Sequence, residues 1–166
     1  MSAAIVGSMV IMTLYIAIGV MSAAGSIYIS KTLLTAKLEQ IVFALFLIPI
    51  AGFYLAFTAY FGSAGAWRLE SEAVVAFTVI GLVGVRAPIA VIIGYPLHGV
   101  WDVLHELHAH GGGDVFGARE ATAIPLAYGV FCATYDLCMG VYFYTRRSQW
   151  RAAWAPPERL NGLPEV

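Results

Sequence analysis

The sequence predicts an all-α bundle of membrane-spanning helices, and three observations carry that expectation. Apolar residues make up 60% of the 166-residue chain and charged residues only 11%. Mean hydropathy is +0.80. The apolar residues fall into long runs parted by short polar segments. A soluble domain carries roughly 25% charge, so this chain has too few charged side chains to cover a water-facing surface. A net charge of −1 exerts no general pull on phosphates. The composition therefore excludes an ordinary soluble enzyme, a nucleic-acid binder, a disordered tail and a disulfide scaffold. Cys132 and Cys138 lie in one apolar run. On a helix they point to opposite sides, which argues against a disulfide between them.

The first run, from Ala3 to Ile29, precedes the first charge at Lys31. About 20 apolar residues cross the hydrocarbon core, and no basic segment of the kind that opens a cleaved signal peptide precedes this run. It is the first expected span. Its small residues, among them Gly7, Gly19, Ser22 and Ser26, suit close helix contact in lipid. The second run, Ile41 to Phe61, contains Pro49 and ends at the loop signal Gly62-Ser63-Ala64-Gly65. The stretch from Ala73 to Leu107 would be about 52 Å long as one helix, too long for one ordinary span. A break at Val85-Arg86-Ala87-Pro88 gives two, because Ala87 precedes a proline and Pro88 suits a first helical position. The last span is expected from about Ala123 to Tyr144, closed by Arg146-Arg147. Residues 1–147 then form the bundle, and residues 148–166, with Pro156, Pro157 and Pro164, an irregular cytoplasmic tail.

Charge asymmetry favours five spans, with four as the alternative. With five, Lys31, Lys37, Arg86, Arg146, Arg147 and Arg151 share one side, which the positive-inside rule makes cytoplasmic. The expected place is a plasma (inner) membrane crossed several times, amino terminus outside and carboxy terminus inside.

The chemistry concentrates in one segment. All four histidines lie between His98 and His110, together with Asp102 and Glu106. At about 100° per residue, His98, Asp102 and His105 fall within an arc of about 60°, and Glu106 sits about 40° beyond Asp102. This is a polar seam on an otherwise apolar helix. Ionisable groups at membrane depth are costly and face the protein interior or a wet cavity. Nitrogen and oxygen donors on consecutive turns suit a divalent transition metal: zinc, iron or copper. His98, Asp102 and His105 are the candidate ligands; the bland alternative is a hydrogen-bonded network that only staples helices. His108 and His110 fit a solvated helix end, where cationic side chains suit the C-terminal dipole. Asp136, the sole charge between Glu120 and Arg146, needs a partner, and its depth matches His98. Asp136 and Glu106 are the candidate general base or acid. Glu39 and Glu72 begin the second and third helices as dipole-favouring carboxylates, with Glu72 the better companion for His105 and Glu106. Tyr54, Tyr60, Trp67 and Trp101 are read as interfacial aromatics.

The stretch Leu97-His98-Gly99-Val100-Trp101-Asp102-Val103-Leu104-His105 resembles the Leu-His-x-x-Trp-Asp-x-x-His hallmark of a group of small bacterial integral membrane proteins of unknown function. The last run, with Tyr135-Asp136, is similar to the aspartate-bearing final helix of the same group. Many members have His-His where this chain has His105-Glu106. The resemblance implies the pattern and no reaction.

Three functions fit these residues. A metal-dependent membrane enzyme would act on a lipid-like substrate held in an apolar cavity between helices. A metal or proton carrier would use the same seam as a transient site. An accessory subunit of a larger membrane complex would use His98 or His105 as a haem ligand, and bis-histidine ligation would then require a homo-oligomer. Membrane lipids are the expected surroundings in all three, and nucleic acid is not an expected partner.

Overall fold

The computed structural model describes residues 3–155, in which there are five α-helices, a 3-10 turn and no strand. The helices are α1 (Ala3–Leu33), α2 (Ala36–Phe61), α3 (Trp67–Gly84), α4 (Pro88–His110) and α5 (Tyr128–Trp154). Two of them, over Ile5–Leu33 and Ala36–Phe61, are long and apolar enough to cross a membrane.

Local chemistry sets the boundaries. Thr35 caps α2 by accepting from the Leu38 N–H at 3.3 Å, in the manner of an ordinary N-cap. Ala87 is extended (φ −108°, ψ 99°) and Pro88 opens α4, so the break expected at 85–88 is present. The last helix differs from its sequence boundaries. It starts at Tyr128 rather than near Ala123, and it continues past Arg147 to Trp154. Its extension has a packing cause: Trp150 is fully buried in the core, which keeps the backbone helical through the segment read as tail. The rest of that expected tail, from residue 156, lies outside the described residues.

The bundle is built around α4 and α5, which share the largest interface; α3 packs on α4 and on α2, α2 also touches both α4 and α5, and α1 lies along α5. Gly19 lets α1 approach closely, since a Cβ there would stand 2.8 Å from the Phe131 carbonyl oxygen and 2.9 Å from Thr134 Cβ. The core joins Phe43, Ala44 and Leu47 of α2 to Tyr95 of α4 and Met139, Phe143 and Trp150 of α5.

One end is tied by a buried polar knot. Glu39, fully buried, accepts from Ser30 Oγ at 3.1 Å, Arg146 Nε at 2.8 Å, Trp150 Nε1 at 2.8 Å and the Tyr142 hydroxyl. Lys37 and Arg86 both lie over the Trp154 ring, at 4.2 and 4.1 Å. Lys31 stands over Tyr142 at 5.3 Å. The cations that the five-helix arrangement puts on one side thus meet at one end of the bundle.

Burial is inverted relative to a helix in water. The outer face of α4 shows Ile89, Ile93, Leu97, Val100 and Leu107, while its buried face carries His98, Asp102, His105 and Glu106. A water-exposed helix turns its charges outward.

Glu39 ties α1, α2 and α5 at once. Glu39→Ala, which strands the Arg146 charge and the Trp150 N–H, is expected to destabilise the protein by about 3 kcal/mol, read as a lower unfolding midpoint in detergent. Glu39→Gln keeps a carbonyl acceptor and is expected to lose less.

Candidate metal centre

α4 aims its seam at α5 and α2. His98 Nδ1 stands 2.8 Å from Asp136 Oδ2 across the α4–α5 interface and 3.0 Å from Asp102 Oδ2 one turn along its own helix. The Tyr54 hydroxyl of α2 donates to Asp102 Oδ1. Each of His98, Asp102 and Asp136 offers a ligand atom within 4.8 Å of the others, and all three are buried.

The hydrogen-bond inventory of this cluster does not close. Nδ1 carries at most one hydrogen, and its well-aligned acceptor is Asp136 Oδ2. Asp102 Oδ2 and His98 Nε2 are buried without a hydrogen-bond partner. Among the described residues no lysine or arginine ion-pairs with Asp102 or Asp136. Two carboxylates therefore share one imidazole, with an acceptor left over. Such orphaned atoms are uncommon in buried sites and call for an ion, a water or a ligand.

A largely apolar cavity of about 440 Å³ adjoins the cluster, with His98 and Asp136 in its wall. Phe46, Ile50, Phe53 and Phe57 of α2 line one side, Phe131, Cys132 and Tyr135 of α5 another, and Ser22 and Ser26 come from α1.

His105 and Glu106 lie outside this cluster. His105 Nε2 is 2.9 Å from Glu70 Oε1, and its Nδ1 is 3.1 Å from the Trp101 carbonyl oxygen. Both ring nitrogens face oxygens of the protein, and His105 is not among the groups whose ligand atoms converge. Glu70 also accepts from the Thr122 N–H at 3.0 Å, so this pair pins the long 111–127 segment to α3 and α4. The Phe116 ring from that segment lies over His105 at 4.8 Å. Glu106 accepts from the Ala127 and Gly129 N–H groups at 2.8 and 3.0 Å. It replaces the side-chain cap that Ala127 (φ 64°) does not supply to α5. Gly129 is what makes the contact possible: a Cβ there would stand 2.3 Å from the Asp102 carbonyl oxygen.

The companion expected in Glu72 is Glu70 instead. Glu72 is exposed and pairs with Arg68 at 3.0 Å, because two residues along a helix turn the side chain through about 200°. Glu39 belongs to the knot at the far end. At the end of α4, His108 packs edge-on to Phe116 and His110 Nε2 reaches the Ile124 carbonyl oxygen at 3.0 Å. Tyr54 is buried and bonded to Asp102 rather than interfacial, whereas Tyr60 and Trp67 are exposed.

Tyr54, read from sequence as interfacial, and Glu70 were not assigned to this neighbourhood, and each had a signal. Leu47, Ala51, Tyr54 and Thr58 recur at helical spacing as the buried stripe of α2. Glu70, Phe77, Gly81 and Gly84 do the same on α3.

Because Glu106 satisfies two otherwise orphaned amides, Glu106→Ala is expected to cost about 1–3 kcal/mol. Hydrogen exchange at the Ala127 and Gly129 amides should quicken in the variant; unchanged exchange would mean that α5 is capped by something else.

No curated protein and no solved structure matches the chain. A family described as being of unknown function (DUF6010) matches residues 12–149, a range that takes in the whole His98–Asp102–Asp136 cluster, and the chain belongs to that family.

Proposed function

We propose that this is a five-span membrane protein that holds a divalent transition metal at His98, Asp102 and Asp136 and uses it on a lipid-like substrate. The carrying observation is the pair of buried carboxylates on one imidazole nitrogen, with Asp102 Oδ2 left without a hydrogen. Burying ionised carboxylates without a compensating cation is costly, and a divalent ion supplies the missing charge. The donors are close enough to converge: Nδ1 lies 2.8 and 3.0 Å from the two carboxylate oxygens, and a tetrahedral ion about 2.1 Å from each ligand would part them to about 3.4 Å.

With Nδ1 as the ligand, the imidazole proton moves to Nε2, which is free of other partners. One imidazole and two carboxylates suit zinc or iron(II); copper favours more nitrogen or sulfur. A bound ion would polarise a substrate oxygen or lower the pKa of a water. Tyr54 orients Asp102, as outer-shell partners of metal ligands do. Asp136 is then a ligand before it is a base. His105 and Glu106 hold the 111–127 segment and the start of α5.

Membrane embedding rests on the inverted burial of α4, on the apolar exposed faces of all five helices, and on the cations gathered at the Glu39 end. The positive-inside rule puts that end in the cytoplasm and the amino terminus outside. A green fluorescent protein fused after Val166 should fluoresce, and alkaline phosphatase inserted at Gly112 should be active. The opposite pattern would reverse the orientation, and a match between the two sites would break the five-span topology.

Elemental analysis of detergent-purified protein tests the metal. Near-stoichiometric zinc or iron is expected in the wild type, falling by about tenfold or more in His98→Ala and Asp102→Asn, and retained in Glu106→Gln. Folded wild type free of metal, after metal was supplied during expression, would leave the cluster as a hydrogen-bonded network.

A further inference from the structure

The cavity beside His98 and Asp136 has a shape and a charge that select an occupant. We infer that it takes a long-chain amphiphile with an uncharged hydroxyl end, a fatty alcohol in chemical class, which enters from the bilayer between α1 and α2. The inference rests on the membrane embedding proposed above and names the substrate class of that same site.

Its volume of about 440 Å³ lies in the ordinary range of ligand pockets, about 300–1,000 Å³. The side toward lipid is hydrocarbon: Phe46 and Phe53 of α2 are 45% and 51% exposed and also line the cavity. α1 packs along α5 and makes at most a marginal contact with α2. The two helices are joined by the short Leu34-Thr35 turn at one end and part beyond it, so the mouth faces the hydrocarbon core. A chain that enters there passes the phenylalanines first and meets polar groups at the far wall.

Those polar groups set the head. No lysine or arginine lines the cavity, and the carboxylate of Asp136 does. In the metal-free site a phosphate or fatty carboxylate would meet like charge with no lysine or arginine to offset it. With one divalent ion already balanced by the two aspartates, it would still add net negative charge to a low-dielectric site. A hydroxyl both donates and accepts, so it can donate to a carboxylate and accept from an N–H. His98, 2% exposed, lines the cavity and has an Nε2 with no partner in the protein.

Cys132 makes the occupant measurable. It is half-buried in the cavity wall, one helical turn before Asp136, and Cys138 is the other free thiol. In the full-length Cys138→Ser protein, at fixed detergent, the rate of Cys132 alkylation by N-ethylmaleimide is followed with 1-hexadecanol, hexadecyl phosphate or hexadecane added. The series is run on metal-stripped and on zinc-loaded protein. Hexadecanol at tenfold its dissociation constant is expected to slow alkylation by about tenfold, as a nearly filled site requires. The phosphate and the alkane should protect far less, and Ser22→Trp, which fills the mouth, should remove the protection. Equal protection by hexadecyl phosphate or hexadecane would overturn the choice of head group. Absence of hexadecanol protection in both preparations would overturn the occupant. Protection in a protein that takes up no zinc on loading would leave this inference standing and the metal assignment fallen; zinc taken up without protection would do the reverse.

Discussion

The contact on which the rest of the molecule depends is the one His98 makes with Asp136 across the α4–α5 interface, 2.8 Å from Nδ1 to Oδ2. In lipid, apolar side chains gain little by leaving the hydrocarbon for one another, so helices associate through close packing and polar contacts. α4 presents its ionisable seam inward and its aliphatic residues outward, and α5 is the helix that answers it. Asp136 meets His98 from the first third of α5, while Glu106 on α4 holds the first amides of α5. Gly129 permits the backbone approach at the Glu106 contact, and Gly99, against Ala133 and Asp136, the approach beside His98. Register, depth and rotation of the two helices are set together, and α1, α2 and α3 pack around the pair.

Buried polar groups occupy three levels, with different degrees of satisfaction. At one end Glu39 takes four donors on its two oxygens, and nothing there calls for a ligand. At the other, Glu70 Oε1 accepts from the Thr122 N–H, faces His105 Nε2 and so fastens the 111–127 segment, while Glu70 Oε2 is buried without a partner. Only the middle level combines two acidic groups, no strong cation, an unpaired Asp102 oxygen and an adjoining cavity. Polar networks that are fully satisfied rigidify; one left incomplete in a low-dielectric interior is a place for chemistry. An orphaned oxygen occurs at Glu70 as well; what singles out His98, Asp102 and Asp136 is that three ligand atoms converge beside a cavity.

Much of the helical architecture was legible in the sequence because its determinants are local. The Ala87-Pro88 break and the Gly62 turn mark real boundaries. The hydropathy runs mark the helices but not their ends: α2 begins at Ala36 rather than Ile41 and α3 at Trp67 rather than Ala73, because polar first turns belong to the helices too. The end of α5 was not legible, since Trp150 is fixed by the distant Glu39. The seam on α4 followed from helical spacing alone, and Asp136 from the need of a lone carboxylate for a partner. His105 shares the arc of His98 and Asp102, yet lies farther along the helix, where Glu70 intercepts it. An angular arc cannot separate residues by depth. Glu106 looked like part of the same chemistry because its use, capping a helix whose N-cap is an alanine in a left-handed conformation, depends on a turn far along the chain. Tyr54 was hidden by a general preference of aromatics for interfaces, although its stripe on α2 marked it as buried.

The central claim is that His98, Asp102 and Asp136 hold one ion in common, and anomalous diffraction locates it most directly. Crystals of the protein grown with zinc, measured at the zinc edge, should show a single strong peak about 2.0–2.2 Å from a nitrogen of His98 and from an oxygen of each aspartate. A map with no peak there, and with the His98–Asp136 hydrogen bond intact at full zinc saturation of the buffer, would contradict it.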